Sequence, residues 1–117
     1  MKLGRYSTSL TVKDIRVSLE FYEKLGFTPV PDCGSIEAKW LILEQGNTII
    51  GLFQDMFPKN TMTFNPMPGE EDVRALQAKL KEQGVALIAE TDPEGTGPGY
   101  FTLEDPDGNP ILVDQHH

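Results

Sequence analysis

Residues 101–114, FTLEDPDGNPILVD, decide how the chain folds. The first half alternates: Phe101 and Leu103 fall on one face, Tyr100, Thr102 and Glu104 on the other. Asp105-Pro106-Asp107-Gly108-Asn109 is dense turn chemistry. Proline pre-sets φ, glycine supplies a positive φ, and the Asp and Asn side chains cap backbone amides. Alternation then resumes, with Ile111 and Val113 on one face and Leu112 and Asp114 on the other. Two alternating runs around a glycine-bearing loop predict a β-hairpin.

Working back from the hairpin, the same grammar occurs twice. Tyr6 to Val12 alternates, with Ser7, Ser9 and Thr11 opposite Thr8, Leu10 and Val12. Asp14 is a good N-cap for an amphipathic helix over 15–25, whose stripe is Ile15, Leu19, Tyr22 and Leu25 with Phe21 beside it, and Gly26 ends it. Phe21 and Tyr22 are expected in the core. Strands are expected at 27–32, where Pro29 and Pro31 put it at an edge, and at 38–44 and 48–53. Residues 33–35 read as loop. Then Thr61 to Asn65 is a strand with Thr61 and Thr63 on one face, and Glu70, Glu71 and Asp72 place negative charge in the first turn of a helix. Val73, Leu76 and Leu80 are its buried stripe, Gly84 ends it, and 85–89 reads as a strand before the hairpin. Residues 90–99 (ETDPEGTGPG) have the composition of a mobile lid or of an ordinary surface loop.

The expected fold is therefore α+β: two β-α-β-β-β modules forming a curled mixed sheet with helices on the outer face, a weak internal repeat. One domain spans 1–117, with module one at 3–55, a linker at 54–60 and module two at 60–115. Along the strands one face is apolar. The other carries Ser7, Ser9, Thr11, Thr61, Thr63, Tyr100, Thr102 and Asp114, and is either solvated or curled around something.

Eighteen acidic residues against ten basic ones give a net charge of −8 over 117 residues. Such a field repels phosphate backbones, which argues against nucleic acid; it modestly favours a cationic ligand, with plain solubility the better explanation of the charge. No apolar run reaches membrane-spanning length, so no membrane partner is expected. The single cysteine, Cys33, excludes an internal disulfide and suits the cytoplasm.

Leu10-x-Val12-x-Asp14 followed by Ser18-x-x-Phe21-Tyr22-x-x-Leu25-Gly26-Phe27 resembles the opening of the vicinal oxygen chelate superfamily, which includes glyoxalase I, fosfomycin-resistance thiol transferases, bleomycin-resistance proteins and extradiol dioxygenases. Asp105 to Ile111 resembles the hairpin closing the second module of that group. The resemblance implies metal ligands (His, Glu or Gln) on the hollow faces of its metal-using members. Carried over one by one, these positions fall on Ser7, on Gly51 with Ile50 adjacent, on Thr61 and on Leu112. Divalent ions of this kind want imidazole or carboxylate donors, which these side chains lack, so no metal and no cofactor are expected. His116 and His117 end the chain and read as a flexible tail.

Two functions from different classes follow. In the first, a metal-free binding module like the bleomycin-resistance branch holds a small molecule in a cleft. Hydroxyls of Ser7, Ser9, Thr61, Thr63 and Thr102 line it, with Tyr100 and Trp40 as aromatic walls, Ile49, Phe53 and Leu112 as apolar floor, and Gly51 and Asp114 also among the ligand-binding residues. Trp40 reads equally well as a core or dimer-interface residue. In the second, a glyoxalase-like lyase, isomerase or thiol transferase uses a divalent metal at a non-standard site. Its acid-base groups would come from Asp114, Glu104 and Tyr100. A homodimer is expected from the resemblance, with Met56, Phe57, Met67 and Trp40 as candidate interface residues.

Overall fold

The structure, a computed structural model, describes residues 1–117. Seven strands and two helices follow in the order β1 (Arg5–Val12), α1 (Ile15–Lys24), β2 (Thr28–Ser35), β3 (Trp40–Gln45), β4 (Thr48–Gln54), β5 (Thr61–Asn65), α2 (Val73–Glu82), β6 (Gly99–Glu104) and β7 (Pro110–Gln115). The fold is α+β with mixed pairing. It divides into two compact units, residues 7–60 and residues 1–6 with 61–117. No helix is long and apolar enough to cross a membrane.

In the unit of residues 7–60 the strand order is β2-β3-β4-β1. β3 pairs antiparallel with β2 and β4, while β4 runs parallel to β1. Alternation sends Leu41, Leu43, Ile50 and Leu52 to one face, where they meet Ile15 of α1 and the half-buried Leu10, Val12, Leu19 and Tyr22. The Asp14 carboxylate accepts from the amides of Arg16 and Val17, as an N-cap should. Leu25 and Phe21 are more than half exposed, so Phe21 is not core: it lies beyond the buried stripe and makes an edge-to-face contact with Tyr22.

β2 runs on through 33–35, where the sequence predicts loop. Its register with β3 shifts between Pro29 and Gly34, and Asp32 and Gly34 take positive φ of 60° and 91°. The two prolines remove ladder donors and the bulge absorbs the misfit, so pairing resumes beyond the break. A side chain at Gly34 would strike the carbonyl of Trp40.

In the other unit the order is β5-β7-β6, with β5 parallel and β6 antiparallel to β7. The hairpin forms in the expected register, Glu104 opposite Pro110 and Phe101 opposite Val113. The Asp105 carboxylate accepts from the amides of Asp107 and Asn109 at 2.9 Å and from Asn109 Nδ2 at 2.7 Å. That last bond, with the others, holds the Asp105 carboxyl below its ordinary range. Phe101, Val113, Val73 and Leu76 form the fully buried core.

Two sequence expectations fail here. Residues 85–89 form no strand: one bridge joins Ala89 to Thr102, and the residues that follow, Glu90 and Thr91, are tied to α2 by Lys81 and Gln77. Glu70 and Glu71 lie before α2, whose N-cap is Asp72, so no acid occupies its first turn.

The repeat is deeper than the hydrophobic pattern. The Oε1 atom of Gln54, last residue of β4, accepts from the amide of Ile15, first residue of α1, at 2.9 Å. The Oε1 atom of Gln115, last residue of β7, accepts from the amide of Val73, first residue of α2, at 2.9 Å. Each helix thus begins with an Asp cap and a strand-end glutamine serving a second orphan amide. Gln115 Nε2 also donates to Asp72 Oδ2. The amide of Arg74, followed by this glutamine, lowers the pKa of Asp72. Both helices end alike, with Gly26 and Gly84 at positive φ and the next amide reaching back to Tyr22 and Leu80.

Candidate functional site

The strand registers place the predicted site residues on the face away from each helix. In residues 7–60, Ser9 and Thr11 of β1 stand opposite Gly51 and Phe53 of β4, which in turn oppose Ile42 and Trp40 of β3. Ile49 continues the row, and alternation puts Ser7 on the side of Ser9. Ser7 and Ser9 are buried, Ile49, Trp40 and Phe53 half-buried.

Aromatic rings cover part of this face. The ring of Phe53 lies over Gly51, where an added Cβ would meet it at 2.5 Å. Trp40 lies parallel to Phe53 with ring centroids 6.3 Å apart, and Phe57 tilts against Phe53 at 4.8 Å. Residues 55–60 are fastened there, since Thr11 Oγ1 donates to the carbonyl of Phe57 and the Thr11 amide donates to Asn60 Oδ1, both at 2.9 Å. The aromatic walls and floor expected for a ligand here pack on one another.

In residues 61–117, Thr63 of β5, Leu112 of β7 and Thr102 of β6 lie in one row, and Tyr100 and Asp114 are paired in the next. Thr63 is buried, Thr61 and Leu112 half-buried. The Thr102 hydroxyl accepts from the amide of Ala89 at 3.1 Å. Tyr100 differs: its side chain is 54% exposed. It lines an open cleft of about 630 Å³ with Asp114, Glu90, Asp92, Pro98 and His116. Of the twelve predicted site residues, these two border that cleft.

Glu90, Asp92, Pro98 and His116 were not singled out from sequence. His116, expected in a flexible tail, has its Nε2 3.0 Å from Asp114 Oδ2. Residues 90–99 are not a free lid either. The guanidinium of Arg74 donates to the carbonyls of Asp92, Gly97 and Pro98 at 3.1, 3.0 and 3.2 Å. Gln77 closes a two-way pair with the backbone of Thr91 at 3.1 and 2.9 Å. Gly99 is needed where it stands: a Cβ there would meet Thr91 Oγ1 at 2.6 Å and Arg74 at 3.0 Å.

The donor set does not fit a divalent metal. Ser7, Gly51, Thr61 and Leu112 offer two neutral hydroxyls and no imidazole or carboxylate. No three His, Cys, Asp or Glu side chains converge anywhere in a metal-holding group.

Comparison with known proteins settles the family. Residues 3–113 match the model of the Glyoxalase/Bleomycin resistance protein/Dioxygenase superfamily. The chain belongs to this superfamily. No curated protein matches it in sequence. Among solved structures, a glyoxalase/bleomycin resistance protein/dioxygenase superfamily member from Vibrio splendidus 12B01 is similar at 18% identity, with 95% of this chain and 97% of that one covered and a TM-score of 0.67. An NAD-dependent benzaldehyde dehydrogenase from Legionella pneumophila is similar at 18% identity, 96% and 99% coverage and a TM-score of 0.74. A hypothetical protein from Bacillus halodurans C-125 gives 16% identity, 95% and 92% coverage and a TM-score of 0.66. At such identities the likeness shows the glyoxalase fold alone.

Proposed function

We propose that this superfamily member is a metal-free small-molecule binding protein whose ligand is an organic cation held against Tyr100. The observation that carries the reading is the exposed Tyr100 ring in a cleft bordered by the carboxylates of Asp114, Glu90 and Asp92. An aromatic face attracts a cation through its quadrupole, and carboxylates at the rim add Coulomb attraction. Glu90 is engaged by Lys81 at 2.7 Å and Asp114 by His116 Nε2 at 3.0 Å, which leaves Asp92, bonded to the Glu94 amide, as the stronger attractor. The volume of about 630 Å³ suits a drug-sized molecule. The net charge of −8 favours the same class of ligand.

Titration with benzyltrimethylammonium and its neutral isostere neopentylbenzene, followed by NMR, tests this. The cation is expected to bind more tightly and to shift the Tyr100 ring resonances. Tyr100→Ala is expected to weaken it by about 5- to 30-fold, the worth of a partly desolvated cation–π contact. Equal binding of the isostere, or an unaffected Tyr100→Ala variant, would overturn the proposal.

A further inference from the structure

Histidine is the side chain whose charge changes between about pH 5 and 8. The Tyr100 cleft carries one, His116, with its Nε2 at 3.0 Å from Asp114 Oδ2. A carboxylate can only accept, so Nε2 carries the hydrogen of this bond whether the ring is neutral or charged. The proton taken up at lower pH therefore goes to Nδ1, the other ring nitrogen.

The imidazole is held in place from both sides. Before it runs β7, which ends at Gln115. Gln115 is 3% exposed, and its Nε2 donates to the carbonyl of His117 at 3.0 Å, as well as to Asp72 Oδ2 and the carbonyl of Gly97 at 3.1 Å. A buried amide thus fastens the backbone just after His116.

We infer that His116 is a proton-operated gate on the cation site, resting on the reading of the cleft given above: protonation of its imidazole and occupation of the cleft by an organic cation oppose one another. The sign follows from the surroundings. The cleft places Tyr100 of β6, Asp114 of β7, and Glu90 and Asp92 of the segment before β6 around the ring. From α2, Lys81 is paired with Glu90, Arg74 is spent on the carbonyls of Asp92, Gly97 and Pro98, and Asp72 is engaged by Arg74 and Gln115. His117 does not line the cleft. Ordinary carboxylates titrate near pH 4, and lysine and arginine above about 10. Between about pH 5 and 8 the imidazole is therefore the group that changes charge. A neutral ring leaves the Asp114 charge to the ligand. A protonated ring turns the contact into an ion pair, and the cleft loses one net negative charge. The His116 side chain is 72% exposed, so the change in affinity is that of a screened surface pair, about 2- to 5-fold.

Calorimetric titration with benzyltrimethylammonium at about pH 8 and about pH 5.5 tests the gate. The affinity is expected to fall about 2- to 5-fold at the lower pH. His116→Gln keeps a donor for Asp114 but cannot ionise, and is expected to bind equally at both. His117→Gln is expected to retain the fall. Linkage is reciprocal, so saturating benzyltrimethylammonium is expected to move the ring titration of His116, followed by NMR, to lower pH. The same spectra are expected to show the neutral ring as its Nε2–H tautomer. Binding that ignores pH, a fall that survives His116→Gln, a ring titration unmoved by the ligand, or a neutral ring carrying its hydrogen on Nδ1 would each overturn the gate and leave the Tyr100 site standing. No binding at either pH would instead sink the site, and the gate with it.

Discussion

Arg74 shows how much one side chain can organise. It has 11% of its side chain exposed and spends its donors on the carbonyls of Asp92, Gly97 and Pro98 and on the Asp72 carboxylate. A planar fork fixed by α2 spans those carbonyls, which a point-charge ammonium cannot do. Removing it leaves the part-buried Gly97 carbonyl without this donor and releases the exposed carbonyls of Asp92 and Pro98. Arg74→Ala is therefore expected to lower stability by about 2–3 kcal/mol, and Arg74→Lys to recover under half of that. Equilibrium denaturation measures both, and amide exchange of residues 92–99 should quicken in step. Slow exchange there in Arg74→Ala would show that the loop is held by something else. Nothing in the local sequence announces this: ETDPEGTGPG reads as a lid because the group that ties it down lies some twenty residues upstream, on another element.

At the scale of elements, the two strand-end glutamines predict a graded pair of effects. Gln115 is 3% exposed and serves the amide of the fully buried Val73, while Gln54 is half-buried and serves Ile15. A buried amide left without an acceptor costs about 1–3 kcal/mol, a wetter one about 1. Gln115→Ala is thus expected to destabilise two- to threefold more than Gln54→Ala in chemical denaturation, and equal losses would refute the role given to burial. These glutamines also mark where sequence reading stops. The helices and the closing hairpin were legible because periodicity, Asp caps and Gly terminators are local signals that agreed with tertiary packing. Strand β2 was half legible, since Pro29 and Pro31 announce an irregular edge but not that pairing resumes past the bulge. Residues 85–89 misled because Ala, Leu and Ile suit a strand that only Thr102 meets. Alternation put Tyr100 and Asp114 on one face, where the register pairs them. It could not show that Trp40 and Phe57 would both pack against Phe53, because ring packing depends on the path of residues 55–60.

For the whole molecule the governing quantity is charge, eighteen acids to ten bases. If the ligand is a cation, two contributions to affinity separate by range. The Tyr100 contact acts within a few ångströms and is indifferent to salt, whereas attraction to the summed acidic field decays over the Debye length, about 10 Å at 0.1 M and about 3 Å at 1 M. Calorimetric affinity for benzyltrimethylammonium is therefore expected to fall about 3- to 10-fold between about 0.05 and 0.5 M sodium chloride, with neopentylbenzene unaffected. Asp92→Asn and Asp114→Asn should flatten that salt dependence, because these carboxylates line the cleft itself. Glu37→Gln, with no place in the cleft, should leave it nearly intact. A cation affinity that ignores salt in the unaltered protein would reduce the recognition to the ring alone and remove the acidic surface from any part in binding.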